Sequence, residues 1–245
     1  MDPAPGVYVG VANALAAVML LLEFGMLRQA LARDQVRLYA AQSALISVLA
    51  VVIAADRGLP DLYALAALSG GLKVVAVPYV LRRLLPGPPG RRGPGWLSRL
   101  GQDPAGWRRR DEPPGVAGSH TLSPASAVLA SIALAAFGFF CLGSLRMGGL
   151  TVAATALAIA GAMTFVAFGL MIIRRDVASQ AIGFFSLENA ISLAALVVAA
   201  GLPLILETAF LFDLLVAVVV FGMLIRAHHG AAGSLSTADL TRLKG

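Results

Sequence analysis

Seven apolar stretches dominate the sequence, and each is close to the ~20 residues that a membrane-spanning helix needs. They cover residues 7–27, 37–55, 62–82, 124–143, 150–173, 179–200 and 203–226. Only 13% of the 245 residues are charged, whereas soluble domains carry about 25%. Because helices satisfy their own backbone groups inside a bilayer, the sequence predicts an all-α, polytopic membrane protein with seven transmembrane helices.

The segments that connect these spans alternate between arginine-rich and nearly neutral. Arginines follow the first, third and fifth spans, and basic residues follow the seventh, whereas the remaining loops carry few positive charges. Basic loops stay on the cytoplasmic side of a membrane, so this pattern predicts an N-terminus outside and a C-terminus inside. The same rule explains the net charge of +6, which therefore does not indicate nucleic-acid binding.

The chain divides into three parts. Residues 1–83 form an N-terminal three-helix membrane part, 84–123 a cytoplasmic linker rich in Pro, Gly and Arg, and 124–245 a C-terminal four-helix part with a short tail. The segment AQSALISVLAVV from Ala41 is similar to LENAISLAALVV from Leu187, which places Gln42 opposite Glu188. Either a duplication of three helices or chance similarity within an apolar alphabet accounts for this match.

Three carboxylates lie within the last two spans: Glu188, Glu207 and Asp213. A charge in hydrocarbon costs several kcal/mol, so a carboxylate there indicates a functional site by default. Counted from the Gly-Leu-Pro turn at 201–203, Glu188 and Asp213 lie at similar depth, and Glu207 lies roughly 9 Å nearer the turn. We expect these acids to form stations of a proton or cation relay.

Two other charged residues lie in apolar spans. Lys73 is deep in the third span, and it either snorkels to a surface or is buried and coupled to Glu188 or Asp213. Glu23 lies near the end of the first span, where pairing with a basic neighbour is favoured over membership of the relay. The remaining polar residues at membrane depth are expected to form interhelical hydrogen bonds. They are Asn13, Gln42, Ser43, Asn189, Ser192 and Thr208.

Motifs for nucleotides, haem, iron–sulfur clusters or zinc are not visible in the sequence. We therefore expect no catalytic centre, no metal and no cofactor on this chain. Whether it belongs to an enzyme complex stays open at this point.

The C-terminal half resembles a known family. The segment GFFSLENAISL, a proline turn and LILETAFLFDLLVAVVVFGMLI resemble HyfE, the E component of formate-hydrogenlyase-type membrane complexes. More distantly they resemble complex I subunit NuoK and antiporter subunit MrpC. The resemblance covers about residues 165–245. It implies a subunit of the prokaryotic inner membrane that lies between an antiporter-like subunit and the membrane anchor of a hydrogenase or dehydrogenase arm.

The resemblance also implies that Glu188 matches the first glutamate of a lateral proton path. The second matching acid is either Glu207 or Asp213, because the spacing is shorter here. The favoured hypothesis is a subunit that moves protons through Glu188, Asp213, Glu207 and Lys73. The alternatives are an independent secondary transporter or cation/proton antiporter, and a scaffold whose acids only form hydrogen bonds. The redox partner, and whether protons or sodium ions move, stay open.

Overall fold

The computed structural model describes residues 7–29, 31–85, 124–145, 153–174, 176–198 and 212–224. Within these ranges the regular elements are helices, as the sequence predicts. In chain order they are α1 (Val7–Arg28), α2 (Ala32–Arg57), α3 (Pro60–Gly70), a π-helical segment (Gly71–Ala76), α4 (Val77–Leu84), α5 (Pro124–Gly143), α6 (Ala154–Ile173), α7 (Val177–Val198) and α8 (Phe212–Leu224).

Six of the predicted spans are confirmed as helices that are long and apolar enough to cross a membrane. The third of them, Pro60–Leu84, runs through α3, the π-helical segment and α4. Of the predicted seventh span, only the shorter apolar helix α8 is described, and the Gly-Leu-Pro turn lies outside the described residues. Nearly all of the predicted linker at 84–123 also lies outside them.

The junction between α2 and α3 is set by two residues that end and begin helices. Gly58 adopts a left-handed conformation with φ of 64°, and its N–H donates to the carbonyl of Ala54 at the end of α2. Glycine reaches this region without the steric penalty of a Cβ. Pro60 then begins α3, where its missing N–H leaves no helical bond unmade. The two spans are therefore joined by a very short turn.

The centre of the bundle is formed by α6 and α7, which are the most buried spans. Helix α6 packs on α5, α7 and α1, while α7 packs on α6 and α2. Asn13 of α1 accepts a hydrogen bond from the backbone N–H of Ala156 at 2.9 Å, which satisfies a free donor in the first turn of α6. The four helices α1, α2, α6 and α7 thus enclose the interior in which the polar residues lie.

Helices α5 and α6 approach closely at a pair of glycines. A Cβ added to Gly138 would overlap the carbonyl group of Gly161, and one added to Gly161 would overlap the carbonyl oxygen of Gly138. Small residues at helix interfaces allow such backbone contact in membranes, where packing drives association. The contact fixes α5 against the central pair of helices.

We expect Gly138→Ala to destabilise the protein by about 1–3 kcal/mol, because backbone atoms cannot move aside as a side chain can. The measurement is the midpoint of thermal unfolding in a mild detergent. Gly10→Ala is the matched control, since a Cβ there meets no atom within 4 Å and alanine raises helix propensity equally at both positions. Equal midpoints for the two variants would contradict the close approach.

Candidate membrane-embedded ion site

The centre of the site is an ion pair between Lys73 and Glu188. The Lys73 Nζ lies 2.6 Å from Glu188 Oε1, and the two residues are 2% and 7% exposed. Lys73 Nζ also donates a hydrogen bond of 3.0 Å to Ser192 Oγ, one helical turn beyond Glu188 on α7. The snorkelling alternative for Lys73 is wrong, because its ammonium points into the bundle. Of the two possible partners, Glu188 is the one that the structure brings to it.

The backbone around Lys73 departs from the α-helix. Residues Gly71–Ala76 form a π-helical segment, and the N–H of Val77 bonds to the carbonyl of Leu72. The next residue, Pro78, has no N–H, so the preceding turn cannot complete its hydrogen bonds. Single turns of π-helix inside α-helices are frequent at functional sites. Here the π-helical segment contains the buried Lys73.

A second polar cluster joins three helices and is centred on Glu23. The carboxylate oxygen Oε2 of Glu23 accepts a hydrogen bond of 2.6 Å from Gln42 Nε2 on α2, and a second hydrogen bond from Ser186 Oγ on α7. Glu23 is 0% exposed. The prediction that Glu23 pairs with a basic neighbour at the membrane surface is wrong, because it lies inside the bundle among uncharged polar groups.

The cluster extends along α7 towards Glu188. Asn189 donates hydrogen bonds from Nδ2 to Gln42 Oε1 at 3.1 Å and to Ser43 Oγ at 2.9 Å. Ser186 Oγ also lies 3.0 Å from Gln42 Oε1. The prediction of interhelical hydrogen bonds is therefore confirmed for these residues and for Ser192, whereas Thr208 lies outside the described residues. Glu188 and Asn189 are consecutive residues, so α7 carries both the ion pair and part of the Glu23 cluster.

The signal that identifies Glu23 as an interior residue is the spacing of its neighbours on α1. Ala12, Ala16, Met19 and Met26 recur with Glu23 at intervals of three and four residues, which places them on one helix face. All of them are fully buried, while Leu21 on the other side is exposed. On α1, the small residues and methionines therefore mark the buried face, and leucine occupies the exposed one.

One of the other two predicted site residues lies outside this buried cluster, and the other is not described. Asp213 lies at the start of α8 and is exposed. Glu207 lies outside the described residues. Within the described ranges, the structure therefore brings together Lys73 and Glu188 and leaves Asp213 at the surface of the chain. Three His, Cys, Asp or Glu side chains that could hold a metal are not found together in those ranges.

A further polar group closes one end of the bundle between α6 and α7. Arg174 Nη2 donates to the carbonyl oxygens of Leu27 at 2.7 Å and Gln29 at 2.6 Å, so it binds the end of α1. Asp176 caps α7 by accepting a hydrogen bond of 2.7 Å from the N–H of Ser179. Burial raises the pKa of Asp176, and the Ser179 hydrogen bond and the charge of Arg174 oppose this shift. Burial likewise lowers the pKa of Arg174, and Asp176 opposes that shift.

Comparison with known proteins gives one match of limited extent. The chain is 37% identical over 83 residues to the uncharacterized protein Rv0085 of Mycobacterium tuberculosis. The match covers 34% of this chain and 36% of that protein, so it spans about a third of each. No protein-family model matches the chain. No solved structure matches it.

Proposed function

We propose that this chain is a non-catalytic membrane subunit of a respiratory redox complex, and that it contributes to proton translocation through acids and a lysine inside the bilayer. The observation that carries the proposal is the buried ion pair between Lys73 and Glu188, with nitrogen and oxygen 2.6 Å apart. Both groups exchange protons, and each is the counter-ion that makes the charge of the other tolerable in a low-dielectric interior.

A purely structural role accounts less well for this pair. Replacing a buried ion pair by apolar side chains of similar volume is often neutral or stabilising, so charge is not needed to hold helices together. Uncharged amides and hydroxyls already join α2 and α7 in the same bundle. The lysine also lies in a π-helical segment followed by proline, which weakens the helix at that point. A proton-transfer site accounts for both the charges and the irregular helix.

Asp213 supports a continuation of the path beyond this chain. It is exposed at the start of α8, so it faces out of the described part of the bundle. A carboxylate on a lipid-facing surface would be costly, whereas one covered by a partner subunit would find hydrogen-bond donors there. We place Glu207 in the same path on its sequence position alone.

The identity of the complex in this proposal comes from the resemblance to HyfE. The partners are antiporter-like membrane subunits and the membrane anchor of a hydrogenase or dehydrogenase arm. The location is the inner membrane of a prokaryotic cell, with seven spans, the N-terminus outside and the C-terminus inside. The alternation of arginine-rich and neutral loops supports this orientation, and α8 supplies the core of the seventh span.

Purification of the tagged chain from its native membrane in a mild detergent, read by mass spectrometry, tests the proposal. We expect recovery of antiporter-like subunits together with a redox arm. The control is an unrelated multi-pass protein of the same membrane that carries the same tag. Recovery of the chain alone, as a stable homo-oligomer, would overturn the proposed partners and favour an independent transporter.

A further inference from the structure

Glu23 differs from Glu188 in its charge environment. Glu188 is paired with Lys73, whereas Glu23 takes part in no ion pair within the described residues. Its side chain is completely buried, and its partners are an amide and a hydroxyl. An ionised carboxylate in such surroundings is strongly disfavoured, and the usual response is to bind a proton. Burial and partners together therefore assign a neutral carboxylic acid to Glu23.

The hydrogen bonds around Ser186 lead to the same assignment. Ser186 Oγ contacts both Glu23 Oε2 and Gln42 Oε1, but a hydroxyl has one proton to donate. If Glu23 carries a proton, it donates to Ser186, and Ser186 donates to Gln42, so both contacts are hydrogen bonds. If Glu23 is ionised, Ser186 donates to Glu23 and the contact with Gln42 lacks a proton. Rotation of one hydroxyl thus switches the cluster between its two protonation states.

One oxygen of the Glu23 carboxyl group receives no hydrogen bond in the described ranges. Glu23 Oε1 is buried without a partner there, whereas Oε2 contacts Gln42 and Ser186. Buried polar atoms are normally satisfied, and an ionised carboxylate accepts more hydrogen bonds than a neutral acid does. The small number of donors around the carboxyl group therefore favours its neutral form.

We propose that Glu23 is a second proton-binding residue of this chain, which holds a proton in the resting protein and releases it with a rotation of the Ser186 hydroxyl. The step is balanced: water takes up the released proton, and Ser186 Oγ turns its own proton from Gln42 Oε1 to the charge left on Glu23 Oε2. The inference rests on the proposed function, to which it adds a proton-binding site on α1.

Infrared spectroscopy of the purified full-length chain in lipid nanodiscs tests the inference without any proton pumping. The wild-type protein should show the carbonyl-stretch band of a buried carboxylic acid at neutral pH. Glu23→Gln should remove this band, and Glu188→Gln should retain it. Ser131→Ala is the control, since it removes a buried hydroxyl that bonds to Ala127 on α5, away from the cluster.

The same band tests the role of Ser186. Ser186→Ala should shift the Glu23 band, because it removes the hydroxyl that the neutral acid contacts. A band that persists in Glu23→Gln overturns the assignment of the neutral acid, and an unshifted band in Ser186→Ala overturns the role of Ser186. If Glu23→Gln does not fold, Glu23→Asp should move the band, and an unmoved band counts against the inference.

These results are independent of the proposed function. If Glu188→Gln leaves proton pumping intact while the band behaves as described, the proposed translocation fails and the Glu23 assignment stands. If pumping is lost but the band is unaffected by Glu23→Gln, the proposed function stands and this inference is overturned.

Discussion

Replacing Glu188 by glutamine should abolish or strongly reduce proton translocation while the chain stays inserted and assembled. Glutamine has nearly the same shape and its carbonyl can still accept the hydrogen bond of Lys73, but it cannot take up and release a proton. It also removes the counter-ion of Lys73, so a loss of stability like that of a Lys73 variant is expected, and translocation is compared at equal amounts of assembled protein. Loss of one positioned proton-transfer group typically lowers a rate by about 100-fold to 10,000-fold. The assay is acidification of membrane vesicles of the native host, driven by the electron donor that co-purification identifies.

The redox activity of the same vesicles provides the internal control. If Glu188 belongs to the proton path and not to an electron-transfer site, electron transfer should continue or slow only through loss of coupling. Asp34→Asn is a matched acid-to-amide control, because Asp34 forms an exposed ion pair with Arg37 on α2, outside the buried site. Full proton translocation by Glu188→Gln would remove Glu188 from the path.

Much of the fold could be predicted from the sequence, because the length of an apolar run and the presence of glycine or proline determine where a helix begins and ends. The positions of α1, α5 and α7 follow from runs of apolar residues, and Gly58 and Pro60 mark a junction by their backbone preferences alone. The start of α2 at Ala32, ahead of the predicted 37, could not be read from hydropathy. The polar residues Arg33 to Gln35 belong to the first turn of α2, which precedes the apolar run of this span.

The sequence limits the partner of Lys73 to Glu188 or Asp213 but does not decide between them. Its depth predicts a buried charge, yet Glu188 and Asp213 lie at similar distances from the predicted turn. Which acid faces the lysine depends on the rotation of each helix about its axis, and that rotation is set by packing between helices. The π-helical segment at Gly71–Ala76 changes this rotation locally, and it has no simple sequence signature.

Glu23 shows a different limit of prediction. Its position near the end of the first span and close to Arg28 favours an interfacial role, and charged residues at helix ends often snorkel. In the structure the buried stripe of α1 continues past Glu23 to Met26, so the helix end is still covered by α2 and α7. The spacing of residues on α1 indicates which face is buried, but how far along the helix that face stays covered depends on the neighbouring helices.

Replacing Lys73 by methionine should destabilise the protein by about 3–5 kcal/mol, the usual effect of removing one partner of a buried ion pair. Methionine fills most of the space of the lysine stem but leaves Glu188 without its counter-ion, and Glu188 is 7% exposed. The folded variant must then bind a proton at Glu188 that the unfolded chain does not bind near neutral pH. Stability rises as pH falls wherever the folded state binds more protons, so the defect should shrink towards acidic pH.

The double variant Lys73→Met/Glu188→Met separates stability from function. Because both charges are removed, its unfolding midpoint in detergent should return most of the way to that of the wild type. With the single variants Lys73→Met and Glu188→Met it forms a thermodynamic cycle that measures the coupling of the two side chains. If the pair belongs to the proton path, the stable double variant should still fail to acidify vesicles. A double variant that is both stable and fully active would show that Lys73 and Glu188 are not needed for proton movement.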